Sequence, residues 1–473
     1  MKFDRMPIDR RRFIAMATGA AGATATAPQV RAASAAPAPT AASLDAAHFG
    51  LRPGHPDDQS RALQRAIDEA ARSRTPLALP PGVYRVGQIN LAPGTCLAGA
   101  RGATILALTQ GPSLLAGVAA DHVTLSGLVL DGGGLPQPKD RGLVHLESCR
   151  AVKIADCEIA HAGGNGLVGV QVAGEVSDTT FRDCAEAALH VLDAAGLLIA
   201  RNRIAGTGNN GIQVWRSAAG DDGTIVVDNR IEDVDARAGG SGQNGNAINV
   251  FRAANVIVRG NRIRNCAFSA VRGNAASNLH IEGNSASDTR EVALYAEFGF
   301  EGAVISSNSV DGAAIGVSVT NFNEGGRLAV VQGNLIRNLL PVRPPGTDPG
   351  DAAGVGISVE ADTAVTGNVV ENALAAGIML GWGRYLRDVA VTGNVVRRAD
   401  VGIGVSVAPG AGTALIADNV ISETLRGAIV GMERSRAPPR IWRRRAPSDM
   451  RISRSRATAC VEAFSPALLH CCA

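Results

Sequence analysis

Short apolar runs recur along the chain, each broken by Gly, Asn or Asp and followed at once by a second apolar run. The phrase is clearest in LLIARNRIAG (197–206), TIVVDNRIED (224–233), VIVRGNRIRNC (256–266), LHIEGNSASD (279–288) and AVVQGNLIRN (329–338). It returns in AVTGNVVEN (364–372), VAVTGNVVRR (389–398) and LIADNVIS (415–422). The repeated asparagines are Asn202, Asn229, Asn261, Asn284, Asn308, Asn334, Asn368, Asn394 and Asn419, at intervals of 27, 32, 23, 24, 26, 34, 26 and 25 residues. A period in the twenties with two oversized members is that of a solenoid carrying two insertions. Alternation of period two holds within each unit and helical periodicity does not, so each unit is two or three short strands. The L-x-x-L-x-L skeleton of leucine-rich repeats is missing. The pattern therefore predicts an all-β chain, a parallel β-helix of roughly a dozen coils stacked about 4.8 Å apart.

A sharp corner between strands turns backbone donors and acceptors inward, where burial without partners is costly. An Asn carboxamide offers two donors and an acceptor, so stacked asparagines are expected to bond the corners and one another. In VKIADCEIA and TTFRDCAEA the same slot is assigned to Cys157 and Cys184. One segment departs from the strand pattern: Asp57 to about Arg72 reads as a helix, with Asp57 or Asp58 as N-cap and an apolar stripe of Leu63, Ala66, Ile67 and Ala70. It is expected to cover the open strand edge of the first coil.

Aligning the strand after each Asn corner, from GLVGVQV (166–172) through GIQVWRS (211–217) to GIMLGWG (377–383), places its second and fourth residues in the core. The third positions then face outward: Val168, His190, Gln213, Asn249, Arg272, Tyr295, Ser318, Ser358 and Met379. So do the fifth: Val170, Leu192, Trp215, Phe251, Asn274, Glu297, Thr320, Glu360 and Gly381. Only 16 aromatic residues exist in the chain, yet Trp215, Phe251, Tyr295 and Phe298 fall on this strip beside Arg216, Arg252, Asn274 and Asn321. Apolar faces with polar edges suit a sugar chain. Both insertions, 235–246 and 339–354, enter directly before this strand and are expected to rise as walls around its middle coils.

Composition narrows the partners. The first 35 residues carry six basic and two acidic side chains, and residues 433–473 carry nine arginines against three acids. That leaves 31 basic and 38 acidic residues, a net charge of −7, for 36–432, which argues against nucleic acid as a general partner. Five cysteines in that region (Cys96, Cys149, Cys157, Cys184, Cys266) have no paired spacing, and most of them are assigned to core packing. No C-x-x-C, Walker loop or H-E-x-x-H indicates a cofactor, and DGGGL (131–135) is a corner with no helix after it to receive a phosphate. Asp221–Asp222 reads as a solvated turn.

At the N-terminus, Arg10 and Arg11 followed by Phe13 and Ile14 open a short, mildly apolar stretch with small-residue sites at 30–35. This resembles a twin-arginine export signal and implies the twin-arginine machinery as a partner, with a periplasmic or secreted mature protein. No stretch of the mature chain is long and apolar enough to be a membrane span. The organisation expected is 1–35 signal, 36–108 linker, helix and first coils, 109–432 repeats, and 433–473 an Arg/Pro-rich tail outside the β-helix. Two readings of that tail fit: a disordered extension, or the product of a slipped reading frame.

Residues 44–105, with HFG (48–50), PDD (56–58), RALQRAIDEA (61–70), LALPPGVYRVGQI (77–89) and RGATI (101–105), resemble the N-terminal signature of the pectate-lyase superfamily. Residues 1–432 as a whole are similar to a family of twin-arginine-translocated β-helix repeat proteins of unknown function. The resemblance implies a right-handed β-helix acting on polysaccharide, although fold does not determine activity. The polygalacturonase motifs N-T-D, G-H-G and R-I-K are absent. So is the D-P-H-D of alginate epimerases, since DPGD (348–351) lacks the His.

A lyase or epimerase on an acidic polysaccharide is the leading expectation. Arg216, Arg252 and Arg272 would pair with uronate carboxylates, and His190, Tyr295 or Arg272 would be the base. Asn249, Phe251, Trp215, Asn274, Phe298 and Asn321 would line the sugar. Hydrolysis is the alternative: Glu297 and Glu360, two coils apart, would be roughly 9.6 Å apart by strand spacing, near the upper limit of about 9.5 Å for inversion. A non-catalytic glycan-binding or envelope-structural β-helix is the third reading.

Overall fold

The computed structural model describes residues 43–348 and 350–433 and the backbone of Thr458–Val461. The twin-arginine segment lies outside the described residues, as does the tail except Glu433 and that one strand. The described chain is a right-handed parallel β-solenoid of about 14 turns with one α-helix. No described helix is long and apolar enough to cross a membrane.

Three apolar columns form the core, one per face of the coil. On the first face Ile154, Val176, Ile199, Val226, Val258, Ile281 and Ile305 stand in direct parallel register. The second stacks Phe181, Ile204, Ile231, Ile263, Ala286 and Val310. The third stacks Leu167, Leu189, Ile212, Ile248, Val271, Leu294 and Val317. These side chains are buried and belong to one continuous cluster. Apolar residues therefore stack on apolar residues from coil to coil, which is why the sequence repeats its apolar positions. Glycine opens the third strand where coils approach closely: a Cβ on Gly316 would lie 2.6 Å from the Gly356 carbonyl oxygen.

The asparagines occupy the corner between first and second faces. Asn284 Oδ1 accepts from both the backbone N (2.9 Å) and Nδ2 (3.0 Å) of Asn261. Its own Nδ2 donates to the Val258 carbonyl (3.0 Å) and to Asn308 Oδ1 (3.0 Å). The same bonding repeats from Asn202 to Asn419. Upstream, Thr179 continues the ladder, taking the N–H of Cys157 and donating its own N–H to Asn202. Cys157 thus holds the expected slot and Cys184 does not. Cys184 stands one corner later, in register with Thr207, Val234, Cys266 and Thr289. The hydroxyl of Thr179 stands in for the carboxamide oxygen as acceptor.

The helix spans Ser60–Ser73, with the expected Leu63, Ala66, Ile67 and Ala70 buried. It starts later than Asp57 because Asp58 is used otherwise: Oδ1 accepts from Ser60 N (2.9 Å) and Oδ2 from the Thr109 hydroxyl (2.9 Å). Gln59 takes the N-cap position without a side-chain cap bond. Gln64 pairs with both backbone groups of Asn90 at 2.8 Å, satisfying part of the first coils' edge. At the other end Thr458–Val461 runs antiparallel beside Ala414–Ala417, as an added strand and not a further coil.

Candidate functional site

The two outward columns exist in the expected register. His190, Gln213, Asn249, Arg272, Tyr295, Ser318, Ser358 and Met379 are successive parallel partners. Trp215, Phe251, Asn274 and Glu297 follow likewise. Their exposure differs from expectation. Asn249, Arg272, Ser318, Met379, Glu297 and Glu360 are buried.

Over Asn249 and Arg272 the insertions are the cause: they close over the strip instead of walling it. The carbonyl of Gly242, in the first insertion, accepts from Asn249 Nδ2 (2.7 Å). Arg343, in the second, reaches down to Glu291 (3.2 Å) and also pairs with Asp351 (3.1 Å). A Cβ on Gly346 would lie 3.9 Å from the Gly240 nitrogen, so the two insertions meet above the sheet.

Beneath them Arg272 forms a fork with Glu297 (Nε–Oε1 2.6 Å, Nη2–Oε2 2.9 Å) and donates Nη1 to Glu291 (3.1 Å). Asn274 adds a bond to Glu297 at 3.0 Å. The Arg272 side chain is 8% exposed and both glutamates 2%. Burial opposes charge on Arg272, but the Glu297 and Glu291 carboxylates outweigh it and shift the guanidinium up. Arg272 is therefore neither a free carboxylate clamp nor a poised base; its donors are committed within the chain. Tyr295 lies under its guanidinium at 4.8 Å, and burial, reinforced by Glu297, pushes the phenol well up. A phenol held in its neutral form is not a ready base. Glu291, Arg343 and Asp351 were missed in the sequence; the only signal was charge inside an insertion and just ahead of a strand.

The strip opens toward the earlier coils. His190 meets Trp215 edge-on at 5.2 Å, and Trp215 meets Phe251 at 5.8 Å. Arg252 lies over Phe251 at 4.7 Å. His190, Trp215 and Phe251 are half-buried and Arg252 is exposed. Trp215 is steadied by its Nε1 bond to Asn249 (3.3 Å). His190 Nδ1 is 2.8 Å from Gln213 Oε1, which as an acceptor selects the Nδ1–H tautomer and leaves the Nε2 lone pair. Burial pushes this imidazole below its usual range, against the Gln213 bond, so it is neutral at pH 7.

Other expected contributors are dispersed. Arg216 turns inward, 4.0 Å from both Asp193 and Asp222. Asp222 is buried, not solvated, and burial raises its carboxyl; Asp221, the last residue of the strand Asn210–Asp221, is exposed as expected. Phe298 stands apart, its backbone N bonded to Asn321 (3.2 Å). The two carboxylates considered for hydrolysis are both engaged: Glu297 by Arg272, and Glu360 by the Phe322 backbone N (2.8 Å). Among the described residues no three His, Cys, Asp or Glu gather as metal ligands.

Glu360 has a measurable signature. Burial pushes its carboxyl up to about 7, above the reference value of 4.5. A native pKa above the unfolded one means the native state binds the proton more tightly, so stability is full at acid pH and falls as pH rises through 4.5 to 7. Glu360→Gln keeps an oxygen for Phe322 N and removes the charge. It should raise stability near pH 8 by up to about 3 kcal/mol, with little change near pH 4. Thermal melts across that range check it.

The family model described as a right-handed β-helix region matches residues 120–242. No curated protein matches the sequence. Among solved structures, the N-terminal fragment of bacteriophage phi29 gene product 12 superposes with a TM-score of 0.53 at 13% identity, over 80% of this chain and 70% of that one. A PL6 alginate lyase in complex with a trisaccharide gives 0.51 at 14% identity, over 80% and 84%. PfbA, a surface adhesin of Streptococcus pneumoniae, gives 0.46 at 16% identity, over 82% and 92%. At such identities the likeness is one of fold.

Proposed function

We propose that the protein engages an acidic polysaccharide along the open edge of this face and acts on it as a lyase or epimerase, with His190 as the base. The observation that carries this reading is the stepped ledge of His190, Trp215 and Phe251, ending in the guanidinium of Arg252. Sugar rings stack on the exposed faces of such aromatic side chains, and Arg252, bonded only to the Ser217 carbonyl among the described residues, retains donors for a uronate carboxylate. His190 and Arg252 are two coils apart, roughly 10 Å by strand spacing, so they address neighbouring sugar units. A neutral imidazole with a free Nε2 is suited to removing the proton on the carbon next to a carboxylate. In elimination the C–O bond to the next sugar then breaks and the imidazolium returns the proton to that oxygen; in epimerisation water reprotonates the carbon from its opposite face. An alginate lyase on the same scaffold is in keeping with this, and so is the twin-arginine signal read at Arg10 and Arg11.

One observation favours a second reading, non-catalytic binding: Arg272, Tyr295 and Glu297 are committed beneath the insertions, leaving a stacking surface with a single candidate base. Assaying alginate, pectate and glucuronan for binding and for ultraviolet-absorbing unsaturated product separates the two. His190→Gln should lower turnover by about 100-fold or more while leaving affinity within a few fold. Trp215→Ala should weaken binding roughly tenfold. Binding without turnover would favour the second reading, and no binding to any acidic glycan would overturn both.

A further inference from the structure

Three consecutive coils place an arginine directly after the ladder asparagine, in RNRIAG, DNRIED and GNRIRN. Arg203, Arg230 and Arg262 are direct register partners, so they repeat at the strand spacing of roughly 4.8 Å. All three are exposed. None is within ion-pair distance of a carboxylate among the described residues, whereas the outward column two residues further on pairs its charges: Arg264 with Glu232, Arg337 with Asp311 and Arg397 with Glu371. Like charges directly opposite one another destabilise neighbouring strands. The column is thus a cost to the fold unless an anion lies on it.

Beside it is a cleft of ≈ 330 Å³ whose lining includes Arg203, Arg230, Arg101, Arg201, Asp178 and Asp228. Arg201 is neutralised by Asp178 (2.8 Å) and Arg101 by Asp156 (2.6 Å). Asp228, the remaining carboxylate of the lining, is within ion-pair distance of no arginine among the described residues, so the three column arginines outweigh it. The column lies on the strand that follows the Asn corner, and the His190–Trp215–Phe251 ledge on the strand after that.

We infer that Arg203, Arg230 and Arg262 form a second binding track, for a linear anionic polysaccharide laid along the solenoid axis. The ligand class rests on the reading given under Proposed function; the track itself is a separate site. One carboxylate per sugar of an extended chain recurs on the order of one coil spacing, so successive uronates meet successive guanidiniums. Single-stranded nucleic acid would need bases stacked on aromatic rings, and no aromatic side chain lines the cleft.

The test uses the full chain with Arg203, Arg230 and Arg262 all changed to Gln, and a second variant with all three changed to Lys. Affinity for long polygalacturonate and polymannuronate is measured at low and high salt, with short oligouronates, Trp215→Ala and a single-stranded DNA as comparisons. The Gln variant should bind both polymers roughly tenfold more weakly at low salt, with a shallower salt dependence. Its melting temperature should equal or exceed the parent's, its handling of short oligouronates should be unchanged, and the Lys variant should bind like the parent. Unchanged polymer affinity in the Gln variant, with Trp215→Ala impaired, would overturn the track and leave the ledge standing. DNA displacing the polymer through these arginines would also overturn it. No polymer binding by the parent would remove both sites.

Discussion

Arg272→Met is expected to destabilise the central coils by about 3–5 kcal/mol, because removing one partner of a buried ion network strands the others. Glu297 and Glu291, each 2% exposed, would keep Asn274 and Arg343 respectively as donors but lose the guanidinium between them. The effect should be smaller near pH 4 than near pH 7, since protonating the stranded carboxylates removes the buried charge. Glu297→Gln in the same chain should restore part of the loss. Urea titrations of the single and double variants at the two pH values check this; equal stability of Arg272→Met and parent would refute the network. Lost turnover in Arg272→Met would then report unfolding, not chemistry.

Asn284→Ala should cost about 3–5 kcal/mol, by breaking four buried side-chain hydrogen bonds at once. The backbone N and Nδ2 of Asn261 lose their common acceptor, and the Val258 carbonyl loses its donor. Asn284→Asp should be no better, since it keeps the acceptor but replaces two donors by a buried charge. Asn419→Ala, at the half-buried end of the ladder, should cost about 1–2 kcal/mol. Because each coil contacts only its neighbours, the interior variant should also unfold in a broader transition. Similar midpoints for the interior and terminal variants would show that the ladder does not bear on stability as its bonding indicates.

The register of the outward columns was legible because period-two alternation and the Asn spacing leave one alignment of the coils. From it came the juxtaposition of Arg272 with Asn249 and Tyr295, and of Trp215 with Phe251. Their environment was not legible. Arg343 lies 52 residues from Glu291 in sequence, inside an insertion with no repeat to align it. A reading that treats alternation as inside against outside has no means to foresee a roof, so it left Arg272 open to solvent. Asp221 and Asp222 divide for another reason: the strand ends at the exposed Asp221, and the next carboxyl turns in toward Arg216, a contact local alternation does not specify.

By itself the sequence determined the solenoid, its apolar columns, the asparagine corner and the order of side chains on each face, since all of these follow from local periodicity repeated coil after coil. Only the tertiary structure decided which outward residues meet solvent. That depends on where two aperiodic insertions come to rest and on the ion pairs between Arg272, Glu291 and Arg343, which no single strand specifies.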